Sequence, residues 1–237
     1  VVDAPTATRL LYTFSQTCLG DAPILVGSSG LFGFATSVPP YTEDVDLALP
    51  ESFVVREGER IVDELVARGF RHPAGSATFI DPRDGTSFDF LGHGAPSDGD
   101  HIGGAGRLRV MVFEDLSRLL ADPRATAPLV HGRSLTPAGF IAAKVLTERV
   151  HKGSKDKLQA LLVLAERADD AACRRDVRGL LGLFDRERRD DARADAQGAL
   201  LALAGDPSFT DAGAEGYAQR LTAAQRGLGC LFEDLDG

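Results

Sequence analysis

A chain of 237 residues with 43% hydrophobic content is long enough to bury a real core, in one large domain or two small ones. Its formal net charge of -9 argues against a general nucleic-acid coat protein and leaves room for a local basic patch. Three scattered cysteines (Cys18, Cys173, Cys230) without CxxC spacing read as reduced thiols of a cytoplasmic protein; no apolar run approaches the ~18 residues of a membrane span, and the opening VVDAPTATRL lacks a signal-peptide pattern.

In chain order, Leu10, Leu11, Phe14 and Cys18 predict a helix over 6–19, ended by Gly20-Asp21. Pro23 to Val26 predicts a short buried strand, followed by the turn Gly27-Ser28-Ser29, a helix over 31–36 and a break at Val38-Pro39-Pro40. Asp44 to Leu49 alternates, with Asp44 and Asp46 on one face and Val45, Leu47 and Leu49 on the other, which predicts a half-buried strand ended by Pro50. An amphipathic helix is expected over 57–70. Ser76–Ile80 and Thr86–Leu91 read as a hairpin around Asp81-Pro82-Arg83-Asp84-Gly85. The glycine-rich stretch 92–106 reads as a mobile loop carrying solvated His93 and His101. A strand over 107–113 and a helix over 114–120 follow. From Pro137 the periodicity is helical, with helices expected over 137–151, 155–168, 171–184, 190–204 and 214–232. The change of character places a domain boundary between residues 134 and 135.

Two positions apart on one strand, the Cα atoms of Asp44 and Asp46 lie about 6.6 Å apart and their side chains leave the same face. Such a pair can bite one divalent cation, and Asp89, on the solvent face of another strand, is the candidate third ligand. Hard carboxylate oxygens suit Mg²⁺, and two such ions about 3.5–4 Å apart can clamp a phosphoryl displacement. A lone DxD is more often a pair of exposed strand residues or helix caps. The order of strand, Gly-Ser turn, DxD strand, helix and hairpin with a third Asp is what points to chemistry.

GSSGLF, YTEDVDLAL and TSFDFLG together resemble the nucleotidyltransferase superfamily with a DNA-polymerase-beta-like fold. Thr42, two residues before the first Asp, also resembles that pattern. The resemblance implies that Asp44, Asp46 and Asp89 hold metal and that Asp89 activates the acceptor hydroxyl. It also implies that Gly27, Ser28 and Ser29 form the turn that holds the nucleotide phosphates. PAGFIAAKVLTERVHKGSKDKLQALLVL resembles the helical pair of the minimal, AbiEii-like toxin branch. This implies a phosphate contact for Lys144 and a place near the site for Asp156, with Arg149 and Lys155 beside them; Gln159 stands where the family has a further Asp. Independently, Lys144, Arg149, His151, Lys152, Lys155 and Lys157 form a local basic cluster that reads equally as a solvated surface or as a patch for triphosphate or RNA.

No P-loop, GxSxG elbow or dinucleotide GxGxxG is present, and His72, His131 and His151 show no metal spacing. The expectation is therefore an α+β protein, with a nucleotidyltransferase core over 1–134 and a helical C-terminal domain over 135–237. It would move a nucleoside monophosphate from an NTP such as ATP, with Mg²⁺, to an acceptor. That acceptor is an RNA end such as tRNA, a protein or a small molecule. The branch resemblance adds a toxin role with an antitoxin partner. The competing expectation is a non-catalytic nucleotide- or partner-binding module that kept the fold.

Overall fold

The computed structural model describes residues 2–39, 42–73, 76–95, 99–146, 153–205 and 213–236. The expectations for Arg149, His151 and Lys152 lie outside the described residues. The chain divides into two compact units: Val1–Ala35 with Pro39–Thr136, and Thr36–Val38 with Pro137–Gly237.

In the first unit, helix α1 (Ala4–Ser15) starts at Asp3, whose carboxylate accepts from the Thr6 N–H at 2.9 Å, with Pro5 in the first turn. It ends before the expected Leu19, because the Thr17 hydroxyl donates to the Phe14 carbonyl at 2.7 Å and competes with the helical ladder. Strand β1 (Ile24–Leu25) leads into a 3-10 helix over Gly27–Gly33. The α-helix expected over 31–36 does not form: Gly27, Gly30 and Gly33 in one seven-residue stretch are poor helix formers. Strand β2 (Asp44–Pro50) passes directly into helix α2 (Glu51–Ala67), with Pro50 at the N-cap position. That helix begins at Glu51 instead of Glu57, and Val54 extends its buried face backwards.

Strands β3 (Thr78–Ile80) and β4 (Ser87–His93) form the expected antiparallel hairpin. Its turn is fastened by Asp81, fully buried, which accepts from Arg9 at 2.6 Å and from Arg83 at 2.9 Å. The expected loop over 92–106 is corrected: β4 runs on through His93, and β5 (His101–Ala105) pairs antiparallel with β6 (Leu108–Val112). The glycines there serve close approach. A Cβ on Gly92 would meet Val112 at 2.5 Å, and one on Gly103 would meet Glu51 at 2.6 Å. Helix α3 (Glu114–Leu120), a 3-10 turn (Pro123–Ala125) and strands β7 (Thr126–Pro128) and β8 (Arg133–Leu135) complete the unit.

The strands form one mixed sheet in the order β5-β6-β4-β2-β1-β8-β7, with β3 also on β4. β2 lies parallel to β4 and antiparallel to β1, which is parallel to β8. One face of the sheet carries the core. Val45, Leu47 and Leu49 from β2 and Phe88 and Phe90 from β4 pack with Leu10 and Phe14 of α1 and Ile61 and Leu65 of α2. Phe14 and Phe88 meet with ring centroids 5.1 Å apart. Each such side chain contributes about 1.5–3 kcal/mol by leaving water. This α-covered face fixes which residues the opposite face must present.

The second unit is helical: α4 (Pro137–Leu146), α5 (Gly153–Glu166), α6 (Ala171–Leu181), α7 (Arg186–Gly205) and α8 (Gly213–Asp236). Phe140, Leu161, Leu164, Val177 and Leu231 are fully or almost fully buried in it. The Thr36 hydroxyl and the Ser37 N–H donate to the Glu166 carboxylate at 2.6 and 2.9 Å, which is why that short segment belongs to this unit. Among the described residues no helix is long and apolar enough to cross a membrane.

Candidate metal centre

Because Val45, Leu47 and Leu49 are drawn into the core, strand alternation turns Asp44 and Asp46 to the other face of the sheet. β4 obeys the same rule: Phe88 and Phe90 are buried, so Asp89 is turned out beside them. The parallel register then sets Asp46 opposite Asp89 and Asp44 opposite Ser87. The three acids are half-buried, and one carboxylate oxygen from each lies within 4.8 Å of the other two. Among the described residues this is the one cluster of metal-type ligands.

Two unit charges 4.8 Å apart repel by about 3.5 kcal/mol at an effective dielectric of about 20. Three ionised carboxylates at this spacing therefore oppose folding unless a cation or proton joins them. Asp89 Oδ1 is buried and has no hydrogen-bond partner, so one lone pair in the cluster is left for a ligand. Neither Asp44 nor Asp89 forms an ion pair with a described residue. The Thr42 hydroxyl, 2.8 Å from both Asp44 Oδ1 and the Asp44 carbonyl oxygen, anchors the first acid at the strand entrance.

The turn beside the cluster is built around one close contact. Gly27 has φ +57°, and a Cβ there would collide with Asp46 Oδ2. Only glycine lets the turn backbone come this near the carboxylate. Ser29 is fully buried, donates to the Val26 carbonyl at 2.7 Å and accepts from the Asp46 N–H at 3.0 Å. Its hydroxyl holds the turn against β2. Ser28 is buried as well, at 8% exposure. The donor set is all oxygen, converging and under-satisfied, which fits a hard divalent cation of the Mg²⁺ class.

No protein-family model and no curated protein matches the chain.

The expected residues of the second unit lie together in their own setting. Lys144 and Asp156 are both buried, and the Lys144 ammonium donates to Asp156 Oδ1. Lys157, expected in a basic surface cluster, is only 2% exposed; its ammonium donates to the Val145 carbonyl and lies 3.8 Å from Asp195. Of the described members of that cluster only Lys155 is exposed; Lys144 and Lys157 are buried. A lysine's position in the sequence does not tell whether its four-carbon stem is packed in a core or lies on water.

The two loop histidines are strand residues. His93 lies on the face of β4 that carries Asp89, two alternations further on, and its Nε2 is buried without a partner. Burial pushes its imidazolium below the usual histidine range. His101 Nε2 lies 3.1 Å from Glu51 Oε1 and its Nδ1 2.9 Å from the Gly99 carbonyl. The sequence also concealed Arg71. It is exposed, and its backbone bridges Ile80 on β3 at the side of the sheet beyond Asp89. No local pattern marks that position, because it depends on a pairing between separate segments.

Proposed function

We propose that the protein is a Mg²⁺-dependent nucleotidyltransferase that moves a nucleoside monophosphate from an NTP to an acceptor hydroxyl and releases pyrophosphate. The observation that carries this reading is the acidic triad on one sheet face, with the buried, partnerless Asp89 Oδ1 inside it and the Gly27 turn pressed against Asp46. The resemblance to polymerase-beta-like nucleotidyltransferases rests on the same residues. Asp44, Asp46 and Asp89 are the residues that would hold the metal. When bound there, Mg²⁺ supplies positive charge to the phosphates of the NTP and to the oxygens that change partners.

This chain's own residues do the rest. Asp89 takes the proton of the acceptor hydroxyl. The acceptor oxygen then bonds to the α-phosphorus as the bond from that phosphorus to the pyrophosphate oxygen breaks. The backbone of Gly27 and Ser28 faces the phosphates, and Ser29 keeps that turn in register with β2. Lys144 and Asp156 are assigned to the nucleotide by the resemblance alone. As they stand in the second unit they satisfy one another. Catalysis is then mostly positioning and charge neutralisation.

The test is incubation with α-labelled NTPs, Mg²⁺ and either total RNA or lysate. Wild type transfers label and Asp46→Ala does not. Nucleotide binding without transfer by wild type assigns the protein to the non-catalytic class, and growth arrest on expression, relieved by a co-expressed partner, supports the toxin role.

A further inference from the structure

We infer that Arg71, seconded by Arg109, forms a phosphate subsite for the acceptor, and that the acceptor is a single-stranded nucleic-acid end. This rests on the transferase reading and goes further than it, by naming the side from which the acceptor enters and what holds it there.

The sheet itself supplies the sidedness. The Gly27 turn follows β1, which flanks β2 on one side, and Asp89 sits on β4 at the other. A donor triphosphate on the Gly27 side leaves the acceptor the side beyond Asp89, the acid that takes its proton. On that side β3 pairs with the first half of β4 and β6 with the second half.

A continuous register row crosses to Arg71. Asp44 is opposite Ser87, Ser87 opposite Ile80, and Ile80 opposite Arg71. Paired residues share a face, so Arg71 stands on the face of the triad. Three interstrand spacings place its Cα about 14 Å from that of Asp44. The bridge is closed by two backbone hydrogen bonds, Arg71 N–H to the Ile80 carbonyl at 3.0 Å and Ile80 N–H to the Arg71 carbonyl at 2.9 Å. Its backbone is thus fixed while its side chain is exposed.

Arg71 has no acid partner among the described residues. Arg68 and Arg133 have none either, but those two are committed elsewhere: Arg68 donates to the Glu64 and Gln16 carbonyls and Arg133 to the Thr126 hydroxyl. In the same unit Arg9, Arg60, Arg83, Arg107, Arg118 and Arg124 each pair with a carboxylate. Arg71 pairs with none among the described residues, and neither does Arg109. Arg109 shares the triad face too, since Leu91 is opposite Met111 and alternation carries that face back to Asp89 on β4 and to Arg109 on β6. Next to it Met111 and Ile102, cross-strand partners, are 40% and 66% exposed. The uncommitted guanidinium of Arg109 beside exposed apolar side chains, with that of Arg71 on the same sheet face, suits a strand that offers phosphates and base faces. A neutral protein hydroxyl or a cationic small molecule would use neither arginine.

The experiment is fluorescence anisotropy with a labelled single-stranded RNA carrying a free 3′-hydroxyl, in Mg²⁺, across a KCl series. Wild type is expected to bind it. Arg71→Ala is expected to weaken binding at least tenfold and to flatten log K against log salt by about 0.7, one phosphate's share for a single strand. Arg71→Lys restores most of the slope, and ATP affinity stays within twofold in both variants. Equal binding and slope in wild type and Arg71→Ala, or no binding by wild type, overturns the subsite. Label transferred to protein or a small molecule in preference to the RNA overturns it as well. Strand binding that depends on Arg71 while wild type transfers no label to any acceptor upholds the subsite and refutes the transferase reading.

Discussion

Asp81 and Asp89 belong to the same hairpin and meet opposite fates. Asp81, at the turn, is fully buried and held by two guanidiniums, Arg9 and Arg83. Asp89, on the strand, is turned toward two more carboxylates and keeps a buried oxygen without a partner. The second unit repeats the first pattern: Asp234 is buried and accepts from Arg174 at 2.9 Å, with Arg178 at 3.4 Å. An acid that serves the fold comes with its cation. Acids gathered with an oxygen to spare cost stability unless a cation or proton joins them.

The sharpest way to break the contrast is to neutralise each acid in turn. Asp89→Asn is expected to lower label transfer by about 10²–10⁴-fold, the usual range for a lost proton acceptor. In the metal-free protein the same substitution raises the urea midpoint, because one repelling charge is gone. If Asp89→Asn instead lowered that midpoint and left transfer intact, the two acids would be alike. Asp81→Ala should do the reverse: transfer per folded molecule persists, and stability falls by about 1–3 kcal/mol as Arg9 and Arg83 lose their acceptor. Equilibrium urea unfolding with circular dichroism measures both.

A smaller effect is expected from acid. Burial by itself would raise the Asp81 carboxyl, but the hydrogen bonds from Arg83 and the charge of Arg9 outweigh it and hold the pKa below the ordinary value. A carboxyl lowered by folding adds stability above its unfolded pKa of about 3.9 and gives it up as pH falls through the lower folded value. Wild type should therefore lose stability more steeply below about pH 4 than Asp81→Asn. Parallel acid limbs in the two proteins would remove Asp81 from the account.

The site was legible where one strand's own alternation decides it. Asp44 and Asp46 read as outward because Val45, Leu47 and Leu49 read as inward, and Asp89 followed from Phe88 and Phe90 in the same way. What failed depends on contacts between segments. The glycines of 92–106 looked like a loop, yet Gly92 and Gly103 are small because Val112 and Glu51 press on them in a sheet. Glu51 to Arg56 was missed as helix because Pro50 reads as a stop, although a proline just ahead of the first turn is well tolerated. Lys157, read as part of a basic cluster, is buried, and its ammonium donates to the Val145 carbonyl. Arg71 had no signal at all before its bridge to Ile80 was visible.

The most direct test of the central claim is calorimetric titration of Mg²⁺ into the metal-free protein, without nucleotide, beside Asp89→Asn and Asp81→Asn. The account predicts saturable binding by wild type, with stability rising by about 2.7 kcal/mol at a hundredfold excess over Kd. Binding is retained in Asp81→Asn and lost or weakened at least tenfold in Asp89→Asn. Equal Mg²⁺ affinity in wild type and Asp89→Asn, or no saturable binding in wild type, would contradict it.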